Sequence, residues 1–403
     1  MRRVVGDLLR AQSSAAAHDL TLSYRYDSLV FRRAGLLHER ARGIRMTVGE
    51  PGVGASLAAM TRTVRPSTPA DAAAIVALLV ESGLLPNLAP EHLHWKYWQE
   101  RTDWPGPRSF VLERGGEILA HAGIVPGTCA WGQRQVPFVH VIDWAARHSA
   151  IGAGTALMRS VGRQTGVLFA VGGSADTLRI LPHIGFRPAG MVEGYARTLF
   201  PLRRLRGARG PRWKLLPHFA RSMLWTLRAP SSAGGEWQAR PLADHEVNQI
   251  ATVLPEPVHG LALMTRSVAL LRYMLACPIV RMSLFAVQQG TRTRGYFLLA
   301  SAPGQVRIAD CWVNSDSSAD WREMILCAVQ QAKLDSQAAE VVIWASDRWL
   351  ARTLEESGFH RRNKSPIRIW PVGEGSPPGE SLRIQMLDND AAYIHEGRNE
   401  YWA

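Results

Sequence analysis

The sequence predicts an α/β (α+β) fold arranged as two tandem copies of one domain. Three observations carry this expectation. Segments with strand and helix spacing alternate from Thr63 onward, a glycine-containing turn joins one such strand to one such helix, and the whole order recurs about 175 positions later. A nearly constant offset held over a domain's length indicates duplication.

Composition sets the outer limits. At 403 residues, 46% hydrophobic and 20% charged, the chain can bury two or three ordinary cores. No stretch reaches 18 uncharged apolar residues, so no membrane span is expected. The start, "MRRVVGDLLRAQSSAAAHDL", lacks the apolar centre of a signal peptide, and a cytoplasmic protein is expected. Cys129, Cys277, Cys311 and Cys327 form no CxxC pair, and "DHEVNQ" does not complete an HExxH, so neither a metal site nor a disulfide framework is expected. The net charge of +13 implies an acidic partner. Nucleic acid, an anionic membrane face and a phosphate-rich cofactor all satisfy it.

Residues 1–60 are rich in Arg and Ala with weak periodicity, and read as a poorly ordered extension or a stretch upstream of the natural start. Within them "GEPGVGAS" has the glycine spacing of a P-loop, but Ala55 stands where a lysine would reach the phosphates. The first domain is expected over 61–200. "TVRPSTPADAAAIVALL" reads as a short strand, a helix start rich in Ser, Thr, Pro and Asp, and an amphipathic helix. "SFVLERGGEILAHAGIV" reads as a hairpin turning at Gly115 and Gly116. "VPFVHVIDW" is a strand, 150–164 a helix, "VLFAVGG" a strand, "ADTLRILPHI" a short helix, and "GFRPAG" opens a closing strand.

The second domain is expected over 236–396. Arg240 matches Arg65 and Phe285 matches Phe110, while "RIADCWV" parallels "HVIDWAA" and Gly358-Phe359 parallels Gly185-Phe186. The linker, 201–235, belongs to a basic stretch. From Arg197 to Gly235 there are nine Lys or Arg and no acidic residue. Trp213, Leu216, Phe219, Met223 and Leu227 sit among the cations at helical spacing. A connector with one packed face explains this, and so does peripheral contact of 197–228 with the anionic inner membrane face. Nucleic acid binding is not expected.

In "SAIGAGTALM", Gly152 and Gly154 lie where a strand gives way to a helix. Backbone N–H groups left unpaired at such a turn suit a phosphate. This segment resembles the acyl-CoA motif of the GNAT acyltransferase superfamily, and "LRILPHIGF" resembles its later helix and strand. The resemblance covers 63 to about 200, and more weakly 237 to about 372. It implies that each copy is a mixed, mostly antiparallel twisted sheet flanked by helices, and that the first binds acetyl-CoA. The pyrophosphate would lie on the amides around Ser149, Ala150, Ile151, Gly152, Ala153, Gly154 and Thr155. The pantetheine arm would run along Asp143, Trp144 and Ala145, and Arg147 would supply a cation in place of the residue usual at Ser149. Leu181 and Leu354 stand where many members place a thiolate-protonating tyrosine. In the second copy "VNSDSSADWREMIL" has no glycine and carries Asp316 and Asp320, which would repel a pyrophosphate.

Amine acceptors need a base, and Asp143, near the end of the strand beside the expected thioester, is the first candidate. His121, on the hairpin strand bordering the acceptor, is the second. His140 points to the opposite face from Asp143, and His183 is expected on a surface turn. "EHLHWKYW" places His92, His94, Trp95 and Trp98 near the acceptor entrance, where packing is the simpler account. The expected activity is acetyl transfer to an amine, with an amino sugar or peptide of the cell envelope as candidate acceptor. The alternatives are an aminoacyl-tRNA-dependent envelope peptide transferase of the same fold and a non-catalytic scaffold.

Overall fold

The computed structural model describes residues 61–84, 87–207, 212–230, 233–371 and 381–395. The N-terminal extension, its "GEPGVGAS" glycines and Arg209 of the linker lie outside these. The strands belong to one compact unit, 58–172 with 182–403, and residues 173–181 fall outside it.

The first half holds β1 (Thr63–Pro66), β2 (Ser109–Arg114), β3 (Glu117–Val125), β4 (Thr128–Trp131), β5 (Arg134–Ala146), β6 (Val167–Val171) and β7 (Arg187–Thr198). The second holds β8 (Trp237–Pro241), β9 (Ala262–Met264), β10 (Arg281–Gln289), β11 (Arg292–Ala302), β12 (Gln305–Val313), β13 (Glu340–Ala345), β14 (His360–Trp370) and β15 (Leu382–Arg383). The helices are α1 (Ala72–Glu81), α2 (Pro90–Leu93), α3 (Ala153–Thr165), α4 (Ala175–Ile184), α5 (Pro201–Gly207), α6 (Arg212–Arg228), α7 (Val268–Leu275), α8 (Ser318–Lys333) and α9 (Arg348–Glu356). A π-helical turn, His94–Trp98, continues α2.

One sheet runs in the order β1-β2-β3-β5-β6-β14-β7-β13-β12-β11-β10-β8. Each half contributes the same five-strand run, so the two ends mirror each other. The pairs β5–β6 and β12–β13 are parallel, and the other pairs along this path are antiparallel. The closing strands are exchanged. β14, from the second half, pairs with β6 of the first, while β7, from the first, pairs with β13 of the second. β7 and β14 pair with each other at the centre. Each of the two strands follows the equivalent Gly-Phe pair of its half, Gly185-Phe186 and Gly358-Phe359.

Side chains fix the exchange. Trp370, at the end of β14, lies against Gly162 of α3 and Gly185, and its ring stacks toward Phe186 at 6.2 Å. A Cβ at Gly162 would stand 1.9 Å from the Trp370 ring. The glycine inside an otherwise ordinary helix is therefore the place where the other half's tryptophan docks. Around the exchange, Phe138, Phe169, Val192, Ile367 and Ile369 form one buried cluster drawn from both halves. β12 is buried at every position, as expected of a strand covered on both faces.

Gly→Ala in a helix interior ordinarily stabilises by about 1 kcal/mol. At Gly162 the clash reverses the sign, and Gly162→Ala should cost about 1–3 kcal/mol of stability by overpacking. Urea unfolding measures this, and a raised midpoint would contradict the packing of Trp370.

Candidate active site

β5 stays in register with β6 only from Phe138 to His140, then the two strands part. His140 fills the crotch, its Nε2 accepting a 3.3 Å hydrogen bond from the Val171 amide. Three residues on, Asp143 adopts φ +48°, and the β3 register jumps between His121 and Gly123. This is a bulge, and a left-handed non-glycine residue at it costs of order 1–3 kcal/mol.

Buried polar contacts hold the bulge. Asp143 Oδ2 accepts from Lys96 Nζ at 2.6 Å and from the Tyr97 hydroxyl at 2.5 Å. Burial pushes the Asp143 carboxyl up, but the Lys96 ammonium and the Tyr97 hydroxyl outweigh it, and the group titrates below its usual range. From the other side, the Trp98 indole donates to Ser67, Ser67 to Ser109 and Ser109 to His121 Nε2. His121 Nδ1 faces the Asp143 carbonyl at 3.0 Å. A carbonyl only accepts, so Nδ1 carries the proton and the ring is neutral, with both nitrogens engaged. Burial, opposed by the Asp143 charge, pushes His121 down to about 4. His121 is fully buried, so it does not face an acceptor as the sequence reading expects.

The glycine turn follows. Gly152, at φ +78°, is the N-cap of α3, and a Cβ there would meet nothing within 4 Å. Ala150 donates to the Arg147 carbonyl, Ala153 to Ala150 and Ala156 to Gly152. Among the described residues, no backbone or side-chain acceptor meets the amides of Ile151, Gly152, Gly154 and Thr155. The turn thus presents unpaired donors at the positive end of a 13-residue helix, the arrangement that binds phosphate. Ser149 is exposed beside it.

Three residues here have structural tasks that the sequence did not reveal. Gly154 makes room for Trp144, whose Nε1 donates to the Gly154 carbonyl at 3.1 Å and would lie 3.2 Å from a Cβ. Ala145 is buried with Ile75, Leu78 and Val111 beneath α1. Arg147 is neutralised by Glu81 at 2.9 Å and Glu117 at 3.1 Å, so the expected phosphate cation is already paired. Arg62, which no motif marks, places Nη1 3.5 Å from the Ile151 carbonyl at the turn.

The matching place in the second half is occupied by the chain itself. β12 keeps register with β13 only from Gln305 to Arg307, then parts from it. Into this wedge runs the segment 381–388. The Gln385 carboxamide accepts from the Cys311 amide at 2.9 Å and donates to the Cys311 carbonyl at 3.1 Å, as a neighbouring peptide would. Cys311 is the counterpart of Trp144. Arg383 lies within 6 Å of the rings of Trp312, Trp321 and Trp349 and pairs with Asp347. At the start of α8, Asp320 accepts from Ser315 at 2.6 Å and faces Arg294 at 3.4 Å. Beneath these, Arg266 is clasped by Asp310 and Asp388, both at 2.8 Å.

Elsewhere, His92 is buried beside Trp95 and Tyr393, and burial, aided by Lys96, pushes it down to about 3. His94 and His183 are exposed, and Leu181 is buried. In the basic stretch, Arg197 donates to Ser357 and Pro230, Arg203 to Asp335 and Ala338, and Arg204 to Ser222. These arginines hold the fold and are not free surface charges. α6 rests on the sheet through Trp225, stacked on His360 at 3.7 Å, and leaves Leu216, Met223, Leu224 and Leu227 exposed. Among the described residues, no helix is long and apolar enough to cross a membrane, and no group of three His, Cys, Asp or Glu is placed to hold a metal ion.

Splayed parallel strands, a bulge, and a glycine turn at a helix start give the chain the GNAT fold. The structure matches Saccharomyces cerevisiae N-myristoyltransferase, solved with bound myristoyl-CoA and inhibitors, at TM-score 0.53 and 12% identity, over 83% of this chain and 86% of that one. It matches a conserved Enterococcus faecalis V583 protein, described as a probable N-acyltransferase, at TM-score 0.50 and 10% identity, over 77% of this chain and 72% of that one. No family model matches the sequence, and no curated protein matches it significantly. Identities this low define the fold and leave the chemistry to the site.

The buried histidines set a pH dependence. His92, His121 and His140 titrate at about 3, 4 and 3 when folded, against about 6.5 when unfolded. Below pH 6.5 the unfolded chain takes up protons that the native fold refuses. Stability should therefore be full above 6.5 and fall as pH drops toward 4, by up to about 1.4 kcal/mol per unit for each ring. Denaturant midpoints between pH 7 and 4 measure this, and a flat profile would contradict neutral buried rings.

Proposed function

We propose that the chain is an acyl-CoA-dependent N-acyltransferase that moves an acetyl group from acetyl-CoA to an amine, an amino sugar or peptide of the cell envelope being the candidate acceptor. One contrast supports this reading most. The first wedge opens beside unpaired amides at a helix start, whereas the chain's own segment fills the second. The pyrophosphate would rest on Ile151, Gly152, Gly154 and Thr155, and the pantetheine amides would pair along Trp144, as Gln385 pairs with Cys311.

In the reaction the amine nitrogen attacks the thioester carbon, the C–S bond breaks, and an amide and the coenzyme thiol result. An amine with a pKa near 10.4 is only about one part in a thousand neutral at pH 7, so a proton must be removed. Asp143 and His121 are both engaged in holding the bulge. We assign them to aiming the β5 backbone at the thioester, with the proton leaving through water and the thiolate protonated from solvent. A non-catalytic scaffold is the second reading, favoured by those engaged side chains and by Leu181. A transferase drawing on aminoacyl-tRNA would need no acetyl-CoA, so its binding separates that alternative.

Gly152→Asp is the direct test. Its Cβ meets no neighbour, so beyond a backbone strain of about 1–3 kcal/mol the fold should survive. The added charge should weaken acetyl-CoA binding at least tenfold by calorimetry and abolish thiol release with pooled amines. Unchanged binding would remove the proposed site, and binding without turnover on any amine would favour the scaffold.

The exposed apolar row of α6, in a stretch rich in cations, supports the second part of the reading: a cytoplasmic protein resting on the anionic inner membrane face. The protein should co-sediment with phosphatidylserine vesicles and leave them as salt rises, since the attraction is screened over about 10 Å at 0.1 M. Replacing Leu216, Met223 and Leu227 by Ser should abolish sedimentation without altering acetyl-CoA affinity. Absence of sedimentation at low salt would leave α6 as a connector.

A further inference from the structure

Arg108 on the loop before β2 is a buried cation without a carboxylate. Its residue is 4% exposed, yet its guanidinium donates only to neutral oxygens: the Tyr273 hydroxyl at 2.6 Å, the Trp95 carbonyl at 3.3 Å and the Gln99 carbonyl. Burying an unpaired charge costs several kcal/mol, so such a group calls for an anion. It lines a cavity of about 30 Å³ whose other charged walls are all matched. Lys96 is paired with Asp143, and Arg101 with Asp103. Arg266 lies between Asp310 and Asp388, and Asp388 uses its second oxygen on the Gln385 amide.

The walls are rigid. Trp95 stacks on Tyr273 at 4.8 Å and 7°, and the two exchange hydrogen bonds between indole, hydroxyl and backbone. Arg101 and Arg108 both lie over the Tyr273 ring, at 4.8 and 5.1 Å. A larger recess of about 620 Å³ shares Arg101 and Tyr273 with this cavity, and its lining adds Arg272, Val268, Ala269 and one acidic residue, Glu100. The inner cavity has room for about two waters, the space of the two oxygens of one carboxylate. The outer recess can take the aliphatic body that carries it.

We propose that the Arg108 cavity is a carboxylate subsite, reached through the outer recess, for a ligand that carries one carboxylate on an aliphatic body. The subsite does not depend on the acyltransferase reading.

The full chain, without acyl-CoA, tests it by calorimetry with hexanoate, hexanamide and hexylamine. Hexanoate should bind at least tenfold tighter than either of the others. Arg108→Gln should erase that preference, and Arg108→Lys should keep part of it. Equal binding of acid and amide by the wild-type chain, or no hexanoate binding, overturns the proposal whether or not the variants fold. A preference that survives in folded Arg108→Gln overturns it as well. Because no thioester is present, these outcomes are independent of whether Gly152 holds a pyrophosphate.

Discussion

The exchange of β7 and β14 is the constraint on which the rest of the structure depends. Neither half can finish its sheet alone, because the strand beside β6 comes from the second half and the strand beside β13 from the first. Trp370 then locks α3, the helix that carries the glycine turn, against a strand encoded two hundred residues later. The position of the turn relative to β5 is thus a property of the whole chain. A lesion in the second half should be felt at the first wedge even though no second-half strand pairs with β5 along the main sheet.

Within this frame the two wedges show how one architecture takes opposite fates. In each, a parallel pair holds register for three residues and then parts, at His140 in one and Arg307 in the other. A parted strand leaves backbone groups that need partners. In the second half Gln385 supplies them, Arg383 fills an aromatic box, and Asp320 sits at the start of the following helix. In the first half, among the described residues, no segment pairs with that edge of β5 beyond His140. The retained backbone geometry and the divided occupancy follow from a few polar side chains, not from a change of fold.

Much of this was legible in the sequence. The repeat, the element order and the glycine turn follow from periodicity and from the spacing of Gly152 and Gly154. The exchange was not legible, because a strand that follows a Gly-Phe pair carries no mark of which sheet it joins. Gly162 was a trace of it, a glycine inside a helix with no local reason to be there. The partners of Asp143 and Arg147 were hidden for a common reason. Spacing places a charged residue near a site but does not reveal the partner that neutralises it, and Lys96, Glu81 and Glu117 come from other elements. Arg108 lies in no motif, and only its missing counter-ion distinguishes it.

The account's central claim is that one wedge binds acyl-CoA and the other is closed by the chain. The stoichiometry of acetyl-CoA binding to the full chain, read by calorimetry and by density in a co-crystal, tests it most directly. The account predicts one molecule per chain, lying along Trp144 with its pyrophosphate at Ile151–Thr155. A second molecule beside Asp316–Trp321, or a single one bound there, would contradict it.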